Sequence, residues 1–278
     1  MTRPFLFPTP AYSLLRWPLF GLLALLLLAA GLLAAAPGPA GAAGGGAVQS
    51  WGYNAFGQLG DGTTTNRTTP VLASGLSGAV AVAAGELHSL AVKSDGTVWA
   101  WGNNPYGQLG DGTTITRLTP VQVSGLTGAG TVAAGELHSL ALMADGAVRA
   151  WGYNVAGQLG DGTTTDRTMP VPVSGLSGAV AIAAGDFHSL ALMSDGTVRA
   201  WGYNGEGQLG DGTTTDHTTP VQVSGLSGAV AIDGGTYHSL AVKSDGTVWA
   251  WGNNMFGQLG DGTTTNRTTP VPVSGLTR

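Results

Sequence analysis

The sequence predicts an all-β protein, a β-propeller of four-stranded antiparallel blades, and three observations predict it. A fifteen-residue stretch beginning Trp51-Gly-Tyr-Asn recurs at Trp101, Trp151, Trp201 and Trp251, always 50 residues on. A second block, Gly85-Glu-Leu-His-Ser-Leu-Ala, recurs from Gly135, Gly185 and Gly235. Within each period, four short segments of strand character are separated by Gly-rich turn signals. A strict period of this length marks units that bury their apolar faces against one another. Four short antiparallel strands per unit make a propeller blade.

The leader comes first and lies outside the repeat. Arg3 and Arg16 precede an apolar run, Leu19 to Ala36, and small residues follow with an Ala40-Gly41-Ala42 site. A basic start, an apolar centre and a small-residue site predict a secretory signal peptide over residues 1–42. The run is 18 residues long, the lower limit for crossing a bilayer, so an uncleaved membrane anchor is the alternative. Residues 43–46 read as a Gly/Ala-rich linker and 47–278 as the repeat array. The expected location is secreted or extracytoplasmic, with any membrane contact made through the N-terminal segment alone.

Residues 79–128 serve as one unit. Ala79 to Ala84 alternates small and branched residues and predicts a strand. Gly85-Glu86 turns the chain into a second strand, Leu87 to Lys93, with His88, Leu90 and Val92 on one face. Asp95-Gly96 predicts a tight type I′ hairpin leading to a third strand, Thr97 to Trp101. A long loop from Gly102 to Thr119 precedes a fourth strand, Pro120 to Val123, whose leading proline suits a strand start or an edge. Ser124 to Gly128 crosses to the next unit.

Composition narrows the function classes. The repeats carry nine Lys and Arg against 16 Asp and Glu, a balance that disfavours nucleic acid as a partner. No cysteine is present, so there is no disulfide framework and no thiolate chemistry. The 47 glycines occupy fixed positions within the repeat and read as turn positions.

The run Ala-Ala-Gly-x-x-His-Ser-Leu-Ala-x-x-x-Asp-Gly-x-Val-x-Ala-Trp-Gly-x-Asn-x-x-Gly-Gln-Leu-Gly-x-Gly resembles the repeat of the regulator of chromosome condensation family, a β-propeller, and the resemblance covers residues 47–278. It implies a blade-like fold used for protein interaction. The best-known activities of that family are guanine-nucleotide exchange, through a β wedge pressed on a small GTPase, and chromatin docking through basic contacts. Every repeat here is 50 residues with no insertion for a wedge, and the array is acidic. The fold therefore carries over and those two activities do not.

Five copies of the Trp-Gly half and four of the Gly-x-x-His half leave closure open. The array is a closed ring, an open arc, or part of a longer propeller. An open arc would expose strand edges and favour self-association.

Candidate chemistry falls on recurring and on divergent positions. His88, His138, His188 and His238 recur once per unit at one strand offset. A structural hydrogen bond, such as one to a neighbouring backbone carbonyl, accounts for them better than a metal site, for which no carboxylate stands at ligand spacing. Trp51, Trp101, Trp151, Trp201 and Trp251 read as packing residues between blades. Asp61 and its four equivalents lie in Gly-Asp-Gly-Thr loops and read as Asx-type turns rather than calcium ligands. No catalytic motif and no cofactor motif appears.

The sequence reads as an exported, non-enzymatic interaction module for a protein or glycan ligand, with no cofactor and no metal. The alternatives are an exchange-factor-like regulator or a propeller hydrolase. Copies differ mainly on one loop face, where Phe56, Tyr106, Met255 and Phe256 would supply apolar anchors. Glu86, Glu136, Arg67 and Arg117 would ring them.

Overall fold

The computed structural model describes residues 45–276. The signal-peptide or anchor segment, 1–42, lies outside the described residues, as does the start of the linker.

Among the described residues, β1 (Gln49–Gly52) and β2 (Arg67–Leu72) form a two-stranded sheet. Four complete blades follow. The first is β3 (Ala79–Ala84), β4 (His88–Lys93), β5 (Val98–Gly102) and β6 (Arg117–Gln122). The second is β7 (Ala129–Ala134), β8 (His138–Met143), β9 (Val148–Gly152) and β10 (Arg167–Pro172). The third is β11 (Ala179–Ala184), β12 (His188–Met193), β13 (Val198–Gly202) and β14 (His217–Gln222). The fourth is β15 (Ala229–Gly234), β16 (His238–Lys243), β17 (Val248–Gly252) and β18 (Arg267–Pro272). Strands pair in chain order and antiparallel throughout, so the expected blade is the observed blade.

Two local features differ from expectation. The hairpin after β4 is not type I′: Lys93 and Thr97 close it, Gly96 alone adopts positive φ (76°), and Gly96 N–H bonds the Lys93 carbonyl. Three loop residues ending on a left-handed glycine are a type I turn with a bulge, which spares Asp95 a positive φ. The fourth strand begins at Arg117, three residues before the proline. Gly102 pairs with Arg117 and Ala100 with Val121, so Leu118, Thr119 and Pro120 bulge opposite Trp101 on the outermost strand. Proline has no N–H for a ladder and sits where the ladder is already broken.

Blades stack through cores that each receive an indole from the following blade. Leu90, Val92, Val98, Leu109 and Val123 of the first blade pack with Ala129, Val132 and Trp151 of the second. Equivalent clusters enclose Trp101, Trp201 and Trp251. Close approach depends on glycine: a Cβ built on Gly110, whose φ is 68°, would stand 2.8 Å from Trp151 Nε1. Trp51 departs from its assigned packing role, because no blade precedes it among the described residues and it is 46% exposed.

The first strand of each blade is innermost. β7 touches β3 and β4, β11 touches β7 and β8, and β15 touches β11 and β12. No comparable packing joins the β1–β2 sheet to the fourth blade among the described residues. No helix there is long and apolar enough to cross a membrane.

Candidate functional site

The histidines lie in a ladder between blades. His88 Nε2 meets Ser139 Oγ of the next blade at 2.9 Å, His138 meets Ser189 at 3.0 Å and His188 meets Ser239 at 2.8 Å. Ser139 donates its proton to the Gln108 carbonyl (2.8 Å), which also accepts Trp151 Nε1–H (2.9 Å). The serine oxygen must therefore accept from His88, which assigns the proton to Nε2 and leaves Nδ1 bare. The Nδ1 atoms of His88, His138 and His188 are buried and make no hydrogen bond. Burial drives these imidazoles down to about 4, 3 and 3, with the backbone at Glu136 acting weakly against it on His88. The expected backbone-carbonyl partner is thus replaced by a serine across the blade interface. His238 differs: it is only partly buried and its pKa is lowered by burial, with Asp233 opposing.

The long loops are pinned by their own side chains. Asn54 Nδ2 donates to the Thr63 and Thr65 carbonyls (3.0 and 3.1 Å), and its Oδ1 accepts Leu59 N–H (2.9 Å). Asp61 Oδ1 accepts from Thr63 N–H at 3.0 Å, the Asx-type closure the repeat calls for, and Arg67 Nη2 lies 2.6 Å from Oδ2. Burial alone would raise this carboxyl, but bonds from Thr63, Arg67 and Asn54 hold it at about 2. Arg117 is tied to Asp111 in the same way at 2.7 Å. This corrects the expectation for Arg67 and Arg117. Each is neutralised inside its own loop and does not stand free beside the apolar anchors.

On these loops, and on the short turns beside them, the divergent residues are displayed. Tyr106 leans on Tyr153, ring centroids 4.7 Å apart. Tyr153 meets Phe187 at 6.5 Å, Phe187 meets Tyr237 at 6.2 Å, and Tyr237 meets Tyr203 at 6.0 Å. An aromatic row therefore crosses the loop face from the first complete blade to the fourth. Phe56 lies apart from it, edge-on to Tyr53 at 6.5 Å. Met255 and Phe256 are 64% and 88% exposed on the last blade and join no ring pair.

The turn after each innermost strand brings Glu86, Glu136 and Asp186 together. Burial, then Glu86 and Asp186, push Glu136 up to about 7. Burial raises Asp186 as well, with the charge of Glu86 adding and a bond to Thr236 opposing. Glu86 acts on carboxylates one and two blades away, as expected for turns ringed about a common axis. Glu206 is engaged separately, with Asn253 at 3.3 Å and with Asn266.

The regulator of chromosome condensation (RCC1) repeat matches residues 45–92, 95–142, 145–192, 195–242 and 245–278. The chain belongs to this family. A second description of the same repeat matches from 79–108 to 229–258. Among solved structures, human WBSCR16 is 27% identical with a TM-score of 0.73, covering 81% of this chain and 62% of its own. Yeast RCC1 (Prp20), solved with Kap60 bound to it, is 25% identical with a TM-score of 0.70, covering 82% and 57%. Prp20p of Saccharomyces cerevisiae, at 24% identity and a TM-score of 0.72, covers 82% and 59% and speaks to the fold alone. The chain thus spans about three fifths of these relatives. No curated protein sequence matches.

The RCC1 repeats bring Glu86 to Glu136 and Tyr106 to Tyr153, and leave Phe56, Met255 and Phe256 outside the ring row. The row also recruits Tyr153, Phe187, Tyr203 and Tyr237, which sequence reasoning did not single out. For Phe187 and Tyr237 a signal was present in the copies: offset 87 reads Leu87, Leu137, Phe187 and Tyr237, turning aromatic along the chain.

Proposed function

We propose that this chain is an exported, non-enzymatic protein-interaction module that binds through the loop face of its RCC1 repeats. The observation that carries the reading is the aromatic row from Tyr106 to Tyr237, partly exposed rings displayed on the long loops fixed by Asn54-type and Asp61-type bonds (Tyr106, Tyr153) and on the short turns before the second strands (Phe187, Tyr237). Rigid aromatic anchors lose little entropy on binding and are typical of interface hot spots. The opposite face is occupied by its own side chains, with Lys93 over the Trp99 ring at 5.7 Å and Lys243 over Trp249 at 5.3 Å. Export rests on the leader sequence, and the mature terminus is expected near Ala43.

The test is capture from an extracellular extract by the immobilised protein. Tyr106→Ala with Tyr237→Ala should abolish retention of bound protein while the melting temperature stays within a few degrees. Lys93→Ala on the opposite face should leave retention unchanged. Loss with Lys93→Ala and not with the tyrosine pair would reverse the face. Stimulated GDP release from a small GTPase would replace the reading with the exchange-factor alternative.

A further inference from the structure

We propose that copies of this chain associate head to tail, the β1–β2 sheet of one copy seating Trp51 against the uncovered face of the fourth blade of the next. This surface is separate from the loop face, and its occupant is a second copy of the chain.

The joints inside the chain are all built from one set of contacts. A Cβ placed on Gly60, Gly110, Gly160 or Gly210 would meet the next unit's indole at 2.9, 2.8, 2.7 and 2.7 Å, so each glycine floors an indole pocket. Each indole N–H donates to the carbonyl two residues before that glycine: Trp101 to Gln58 at 2.8 Å, Trp151 to Gln108 at 2.9 Å, Trp201 to Gln158 at 2.9 Å and Trp251 to Gln208 at 2.8 Å. A backbone bond locks the outer rim, with Gly62 N–H donating to the Leu118 carbonyl and Gly112, Gly162 and Gly212 to those of Thr168, Thr218 and Thr268, each at 2.9 Å. The incoming unit supplies the indole from its third strand and the rim carbonyl from its fourth. The β1–β2 sheet consists of the equivalents of those two strands, with Trp51 on β1 and Thr68 on β2.

Among the described residues, the same set stands divided between two distant places. Trp51 is half exposed, whereas Trp101, Trp151, Trp201 and Trp251 are buried. On the fourth blade a Cβ at Gly260 would meet Val273 and no indole. Leu276 is 62% exposed there, although its equivalents Leu76, Leu126 and Leu226 are buried in their joints. Gly262 N–H and the Thr68 carbonyl have no counterpart of the rim bond. One copy does not bring the halves together, since the β1–β2 sheet and the fourth blade do not pack on each other. A second copy supplies each missing half from residues already matched four times within the chain. A foreign protein would have to reproduce an indole and a carbonyl at the same spacing, so shape and hydrogen bonding favour self-recognition over a chance apolar contact. The β1–β2 sheet lacks a counterpart of Ser89, which donates to the Gln58 carbonyl at 2.9 Å, so the joint between copies is weaker than those within and reversible. Each copy carries one half of each kind, and such heterologous contacts extend into chains or close into rings.

Sedimentation equilibrium of the full chain from about 1 to 100 µM, the range of a reversible joint, tests this. Wild type should grow in mass with concentration and pass beyond a dimer. Trp51→Ala removes the indole and Leu276→Asp places a charge in its socket. Each should weaken association at least about thirtyfold, the scale of losing an interface hot spot. Both residues are exposed, so thermal unfolding should stay within a few degrees of wild type. An equimolar mixture of the two variants should associate again but stop at the dimer, because only one intact indole and one intact socket remain. Every variant keeps the leader, so association through that segment would ignore both substitutions, and that result would overturn the proposal. A mixture that fails to dimerise, or grows past the dimer, would also overturn it. So would a wild type that stays monomeric, and a Trp51→Ala variant that then melts several degrees lower would place the β1–β2 sheet on the fourth blade of its own chain. If Trp51→Ala fails to fold, Trp51→Phe, which keeps a ring and loses the N–H, must weaken association for the proposal to stand.

Discussion

Glu86, in the turn, and His88, the first residue of β4, are two residues apart, and their rows of equivalents behave oppositely. The imidazole row is identical in every copy and used between blades: His88, His138 and His188 each meet the next blade's serine, and that serine meets the carbonyl that also holds the indole. The carboxylate row varies from Glu86 to Thr236, and its members repel one another. Chemistry repeated in every blade is used up in joining blades. Chemistry that differs between blades is left facing outward with charge to spare. In a repeat protein the eye-catching recurring histidine is therefore the wrong place to look for a ligand, and the irregular turn beside it is the better one.

The largest effect that would break this division is in the indole of the ladder. Trp151→Ala removes a fully buried ring from the core between the first two complete blades and also orphans one bond to the Gln108 carbonyl. It should destabilise by about 3–5 kcal/mol. Tyr153→Ala, on the loop face, should cost less than about 1 kcal/mol, the usual size for a partly exposed position. Thermal unfolding of both variants checks this, and comparable losses would erase the distinction between a structural row and a display row.

His138→Ala comes next. It empties a buried site and leaves Ser189 without its interblade donor, which should cost about 2–4 kcal/mol from the cavity and the unmet bond together. Denaturant titration measures it. A loss below about 0.5 kcal/mol would mean that the ladder holds nothing together.

The legibility of these two rows in the sequence differed for a physical reason. Strict recurrence of Trp101, Gly110 and His88 announces that the same neighbours must be met in every blade, so the blade, its strand order and its packing residues were readable. The partner of His88 was not, because Ser139 lies 51 residues away across an interface that only the stacked fold creates. The same holds for the row Tyr106–Tyr153–Phe187–Tyr237, whose members come from four blades and from three different offsets. Divergence pointed to the right face but not to which divergent residues meet, and so Phe256 stood out although it touches no other ring. Turn geometry failed more locally: Asp95-Gly96 looks like a two-residue turn until Lys93 and Thr97 are seen to close a loop of three.

The pH response separates the rows by sign. His88 titrates near 6.5 when unfolded and about 4 when folded, and His138 and His188 lie lower still. The unfolded chain thus binds more protons between these values, so stability must fall as pH drops from about 6.5 toward 4, by up to about 1.4 kcal/mol per unit for each imidazole. Above 6.5 this dependence ends. Urea midpoints from pH 4 to 8 would show it, and a flat profile below pH 6 would contradict the burial of neutral imidazoles.

The smallest effect is the most discriminating, because it carries the opposite sign. Glu136 has an ordinary value of 4.5 and about 7 in the fold. Between those values the folded chain holds the extra proton, so this group costs stability as pH rises from 4.5 to 7, and the cost is complete above 7. The side chain is partly exposed, and solvent screens the repulsion, which limits the effect to about a few tenths of a kcal/mol. Glu136→Gln removes the charge at every pH. It should therefore leave stability unchanged near pH 4, where the carboxyl is already neutral, and raise it slightly at pH 8. His138→Ala should flatten the acid side of the profile and leave this small alkaline gain in place. A Glu136→Gln variant less stable than wild type at pH 8 would mean that the carboxylate is already satisfied within the chain, and with that the uncompensated row, and its contrast with the histidines beneath it, would disappear.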